Sequence, residues 1–329
     1  MQHRRLLSLV SLTIASLAAC SIYTPPRCVS GSDCDSGVCN VDGTCGESSA
    51  TTGSTTASGT TGAGGTGSGG DSTTTGSGGS TTTSTTGAGG SATCSPNNDG
   101  VITREEVPLA AGLHATFKTA TNAPVDTAGK VQGDGSKLWD LDVNLPGDHA
   151  SLVETQAIDG QWFAADFPGA TYASRLSDGS DLLGVFEITP SALLLRGVVS
   201  PVEDAISGTK LKYGTPIKVL DFPIQANKTW TTTSGISGTA SGVTCIEAFC
   251  TETYENKIDQ KGTLKTPFGT FQVQRLRVDL SRNIGGFPTT LHSYFFVTEC
   301  FGIVAKMISK NSEPNDEFTT AAEVTRLSP

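Results

Sequence analysis

Forty of the 46 residues from 48 to 93 are Gly, Ser or Thr, and the other six are five Ala and one Asp. The stretch contains no Leu, Ile, Val, Phe or Pro. It therefore has no apolar surface with which to offset the conformational entropy of ordering, and it predicts a disordered linker. This tract divides the 329-residue chain into parts that must be weighed separately. Behind it, residues 94–329 hold 61 Leu, Ile, Val and Phe among 236 positions, a normal inventory for a packed core. Without Pro and almost without charge, the tract is expected to behave as a flexible coil with a reach of roughly 35–40 Å. The domains expected from composition are residues 1–19, 20–27, 28–45, 46–93 and 94–329.

The N-terminus carries Arg4 and Arg5, followed by an uncharged, mainly apolar run from Leu6 to Ala19. A spanning helix needs about 20 such residues, so the run fits the core of a signal peptide better than an anchor. It ends in Leu17-Ala18-Ala19-Cys20. These residues resemble the lipobox of bacterial lipoproteins. The resemblance implies cleavage after Ala19, lipidation of the Cys20 thiol and acylation of its freed amine. Several acyl chains give a stable anchor where one gives only marginal binding. Ser21 stands where an Asp would retain such a protein at the inner membrane, so the expected address is the outer membrane. The formal net charge of -10, with no basic cluster, argues against nucleic acid as a partner.

Eight cysteines remain beyond Cys20, an even number in a chain headed for an oxidising compartment. Cys28, Cys34, Cys39 and Cys45 crowd into 18 residues that lack a core, so a small disulfide module is expected over 28–45. Pairing Cys28 with Cys39 and Cys34 with Cys45 is preferred among three connectivities. A metal site is disfavoured by the absence of His and of C-x2-C spacing. The module resembles the Cys-rich knobs that follow the lipid anchor in many myxobacterial lipoproteins. Of the other four, Cys245 and Cys250 close a short loop that fits a local staple; Cys94 with Cys300 is then the expected second bridge, with the crossed pairings as alternatives.

The segment from Cys94 to Glu106 has an Asn-Asp-Gly turn that partly matches a calcium loop. Ser95, Asn97, Asp99 and Glu106 would fall on ligand positions, and Gly100 on the sharp turn. The competing expectation is a plain turn followed by one capped helical turn, with Thr103 and Glu106 as the capping box.

Beyond Leu109 the apolar pattern has period two, as in Trp139, Leu141, Val143 and Leu145, in Phe163, Ala165 and Phe167, and in Leu182 to Ile188. No sustained 3.6-residue stripe predicts a core helix. The expected fold is all-β, a curved antiparallel sheet forming an open barrel or a sandwich. Between Val273 and Leu276 the alternation slips by one residue, which predicts a β-bulge at Gln274-Arg275. The segment Gly262 to Asp279, with Thr266-Pro267-Phe268-Gly269-Thr270-Phe271 and Arg275-Leu276-Arg277, resembles a hairpin found in secreted bacterial β-sheet proteins. Residues 17–329 together resemble myxobacterial lipoproteins, which implies a fold and an address but no activity.

Catalytic signals are sparse. His114, His149 and His292 each stand outside any metal or nucleophile motif, and no G-x-S-x-G elbow or P-loop is present. Asp148-His149 is one candidate half-dyad, Asp140 with Asp142 a candidate carboxylate pair, and Trp139, Trp162 and Trp230 a candidate sugar platform. Core packing is the stronger expectation for Trp139. The chain therefore predicts a lipid-anchored envelope protein with a non-catalytic β domain. Its partners would be the membrane through the anchor, and an envelope protein, glycan or apolar ligand through the domain. The alternatives are an envelope polysaccharide or peptide hydrolase and a calcium-stabilised adhesin.

Overall fold

The computed structural model describes residues 94–204, 208–240 and 243–329. The expected lipidation site Cys20, the 28–45 cysteines and the expected linker lie outside the described residues. The strands, in chain order, begin with β1 (Val101–Ile102), β2 (His114–Pro124), β3 (Lys130–Val131), β4 (Lys137–Asp140) and β5 (His149–Ala157). Then come β6 (Tyr172–Ser177), β7 (Ser180–Ile188), β8 (Ala192–Val199), β9 (Lys210–Asp221), β10 (Ile224–Gln225) and β11 (Thr229–Ala240). The series ends with β12 (Val243–Cys245), β13 (Cys250–Thr266), β14 (Gly269–Ile284), β15 (Phe287–Thr298), β16 (Gly302–Ile308) and β17 (Thr320–Leu327). No α-helix occurs among the described residues, and none there is long and apolar enough to cross a membrane.

Twelve of these strands form a closed antiparallel ring whose spatial order follows the chain. β2, β5, β6, β7, β8, β9, β11, β13, β14, β15, β16 and β17 pair in succession, and β17 returns to β2. β11 joins the two halves: its Thr229–Gly235 stretch pairs with β13 and its Ile236–Thr239 stretch with β9. Full closure removes the exposed edges that make open sheets prone to association. The all-β expectation holds, and the curved sheet closes into a barrel.

The ring is packed on both faces. Its interior at one end holds Tyr172, Leu193, Leu220, Trp230, Ile258, Leu276, Val278 and Val297, drawn from strands all around the circuit. The β1–β10 pair adds Ile102 and Ile224 to the same cluster. On the outer face, Tyr294, Phe296, Met307 and Val324 pack beneath Trp139, Leu141 and Phe318 from the segments that cross over them. A second outer cluster sets Ala173, Leu183, Val185 and Val199 beneath Ile158, Phe163 and Phe167. Double coverage explains the near-continuous apolar runs at Leu193–Val199 and Phe295–Val297, since such strands have no solvent face to keep polar.

Coverage also explains the slipped alternation. Val273 packs in the outer cluster and Leu276 in the inner one, so the buried face changes along an unbroken β14. The bulge lies opposite, in β13, where the register shifts between Ile258 and Gln260 across from Leu276 and Arg275. The extra residue, Asp259, turns its carboxylate onto Arg275 at 2.9 and 2.7 Å.

Two other local expectations differ from the structure. Phe163, Ala165 and Phe167 do not form a strand; Ala164–Asp166 is a 3-10 turn. Asp166 receives Lys210 and Lys212, both at 2.8 Å, and this clamp holds the turn against β9. The strand at Trp139 stops at Asp140, leaving Val143 exposed. Two disulfides complete the frame. Cys94–Cys300 ties the first described residue to the β15–β16 turn, and Cys245–Cys250 closes the loop between β12 and β13.

Candidate functional sites

The Asp148-His149 pair does not assemble as a dyad. Asp148 turns away to cap the Leu145 amide at 2.8 Å and to pair with the fully buried Arg326. His149, at the start of β5, instead places Nε2 2.7 Å from Asp178 and Nδ1 3.1 Å from the Gly147 carbonyl. Both ring nitrogens thus face acceptors, and neither is free to act as a base. No hydroxyl among the described residues bonds to the imidazole, so no nucleophile–base contact forms there. His292 is committed in the same way, with Nδ1 2.6 Å from Asp279 and Nε2 3.2 Å from the Glu313 carbonyl.

The His149 contacts fasten the β6–β7 hairpin across one end of the ring. The Asp178 amide bonds to Glu323 on β17, and the Leu176 carbonyl accepts from Lys306 on β16. The Gly147 carbonyl, then the Asp178 carboxylate, raise the His149 pKa above its ordinary 6.5. A raised value means that the folded state binds the proton more tightly. The strap's contribution is therefore complete below about pH 6.5 and is lost as pH climbs through the folded value. Amide exchange in residues 176–179, corrected for intrinsic rate, should be faster at pH 8.5 than at pH 6. His149→Ala should abolish that difference; an unchanged pH response in the variant would refute the assignment.

The calcium candidates form a turn. Asn97 Oδ1 accepts the Asp99 amide at 2.8 Å, and Asp99 Oδ1 accepts the Val101 amide at 2.8 Å. Glu106 Oε2 accepts the Thr103 amide and hydroxyl at 2.8 and 2.9 Å, as a capping box does. Its Oε1 accepts the Asn97 side-chain amide at 3.0 Å, which points a donor where a cation would need an oxygen. Ser95 is exposed. The set does not fit a calcium ion, and no cluster of three or more His, Cys, Asp or Glu suited to a metal occurs among the described residues.

The other candidates disperse. Asp140 and Asp142 are both exposed. Trp139, Trp162 and Trp230 belong to three separate clusters, so they build no common platform. Trp139 is a core residue, with its indole nitrogen on the Thr127 carbonyl at 2.8 Å and its ring edge-on to Phe296.

Two arrangements were not anticipated. On β13 the buried Glu252 accepts the Tyr213 and Tyr254 hydroxyls at 2.8 and 2.7 Å and the Arg282 Nε at 2.5 Å. Burial, then neighbouring acidic groups, push both phenols far above their ordinary range, so they serve as donors and not as bases. Only the Glu252/Tyr254 spacing on one strand face was visible in the sequence.

The second is an open groove of about 390 Å3 beside the Cys94–Cys300 bridge. Phe268, Phe271 and Phe301 line it together with Asn98, Gln272 and Glu299. The rings of Phe268 and Phe271 stack at 6.3 Å, and Phe301 stands edge-on to both at 5.9 and 5.2 Å. Glu299 is only 6% exposed, and its Oε2 accepts the Asn97 and Asn98 amides at 2.6 and 3.1 Å. The sequence signal was thin: a Phe-Gly-Thr-Phe hairpin tip and a Glu-Cys-Phe turn some 30 residues on.

No family model matches the sequence, and no curated protein is similar to it. Among solved structures, a protein from Parabacteroides distasonis ATCC 8503, provisionally described as a lipoprotein, aligns over 66% of this chain and 94% of its own. The identity is 8% and the TM-score 0.31, too distant to carry an argument about either fold or function.

Proposed function

We propose that the protein is a lipid-anchored lipoprotein of the cell envelope, held at the outer membrane, that presents its β-barrel as a non-catalytic binding module on a flexible stalk. The observation that carries the non-catalytic part is the commitment of the chemistry-bearing side chains. His149, His292, Asp148 and Glu252 all spend their functional atoms holding loops and strands to the barrel. The anchor rests on Leu17-Ala18-Ala19-Cys20 behind its apolar run, and the stalk on the composition of residues 48–93.

The address is tested by fractionating cells that express the chain or its Cys20→Ala variant. The parent should sediment with the outer membrane and incorporate labelled fatty acid, and the variant should appear in the soluble fraction. Continued sedimentation of Cys20→Ala with the membrane would overturn the anchor.

A further inference from the structure

The Phe-lined groove contains a buried carboxylate without a cation. Glu299 is 6% exposed, yet it takes part in no ion pair among the described residues. Among the described residues its only donors are the backbone amides of Asn97 and Asn98, and both go to Oε2. Oε1 has no partner there, and Glu299 lines the groove. Oε1 is not enclosed, so a ligand in the groove can reach it, and a carboxylate this deeply set normally meets a positive group.

The remaining walls narrow the chemistry of what would satisfy Glu299. Three half-buried Phe rings offer apolar surface and the negative faces that attract cations. A free carboxylate oxygen calls for an N–H donor, which a quaternary ammonium lacks. The described domain carries 27 acidic against 19 basic residues, so its long-range field favours a positive ligand. The groove, at about 390 Å3, falls in the size range of small-ligand sites.

From these features we infer that the groove binds a primary alkylammonium group on an apolar stem, as a partner protein's lysine side chain presents it. The ammonium donates to Glu299 Oε1 and the methylenes lie along Phe271 and Phe301. This gives the binding module a ligand class. It rests on the non-catalytic reading for its biological setting only, since binding in solution does not depend on lipidation.

The test is a titration of the full-length chain with Nα-acetyl-lysine N-methylamide, followed by calorimetry and by NMR of the Phe ring protons. Saturable binding is expected, and the norleucine analogue, which lacks the ammonium, should bind at least about 10-fold more weakly, as loss of a charged hydrogen bond requires. Glu299→Gln keeps the shape and should weaken the lysine probe by a similar factor. Phe271→Leu, a second variant that spares the carboxylate, should weaken it several-fold. No saturable binding of the lysine probe, equal binding of the norleucine analogue, or unaltered binding in Glu299→Gln would each overturn the proposal. Tighter binding of phosphoethanolamine or glucosamine than of the lysine probe would overturn the lysine assignment. Failure of Cys20→Ala to leave the membrane would bear on the anchor alone.

Discussion

Arg275→Ala should lower the stability of the barrel by about 3–5 kcal/mol. The side chain is 2% exposed and faces two carboxylates, Asp259 at 2.7 Å and Glu317 at 2.8 Å. Its Nη1 reaches the Thr127 carbonyl, and its guanidinium lies 4.2 Å from the Tyr294 ring centre and 5.6 Å from that of Trp139. One group thus gathers the β13 bulge, the β2–β3 connection and the β16–β17 connection onto β14. Its removal leaves Asp259, itself 12% exposed, facing a void without a partner. Most of the cost lies in that orphaned charge. The double variant Arg275→Met/Asp259→Leu should therefore recover a substantial part of the loss, although it lacks the ion pair altogether. Urea unfolding of the three proteins measures this. A loss below about 1 kcal/mol in Arg275→Ala, or a double variant no better than the single, would contradict the account.

Breaking the Cys94–Cys300 bridge, as Cys94→Ser/Cys300→Ser, should cost about 5 kcal/mol. Breaking Cys245–Cys250 should cost roughly 2 kcal/mol on the same chain-entropy estimate. The difference comes from the unfolded chain, because the first bridge closes a span of 206 residues and the second a span of five. The first also pins Asn97 and Asn98, whose amides hold Glu299 in place. Thermal melts of the two double variants should rank them clearly, with the Cys94/Cys300 variant lower. Equal melting points would show that the long bridge constrains nothing in the unfolded ensemble.

Much of the architecture could be read from residues alone, because period-two alternation is a local signal and most of these strands are long. The misreadings trace to contacts between segments far apart in the chain. Phe163 and Phe167 alternate like a strand, but Lys210 and Lys212 draw Asp166 into a turn that sets both rings on the outer face of β6–β8. At Val273 and Leu276 the alternation slips because different layers cover the two ends of one strand, and no propensity encodes which layer will arrive. The loss of His149 from Asp148 has the same origin, since a buried Arg326 from the last strand claims the carboxylate first. The groove was least legible of all. Its rings come from a hairpin tip and a separate turn, and Glu299 reads as an ordinary acidic residue until the fold sets it, 6% exposed, in the wall beside them.

The sequential order of the ring has a consequence for when the domain can form. Each strand joins one made shortly before it, except at the seam, where Phe117 on β2 meets Leu327 on β17. Local hairpins can zip in any order, but the seam must bring together nearly the whole length of the domain. It cannot close until the final strand has been delivered. Until then β2 and β16 both present unpaired backbone. The growing chain therefore stays unclosed and threadable until β17 has been made, a property that would suit the export proposed above.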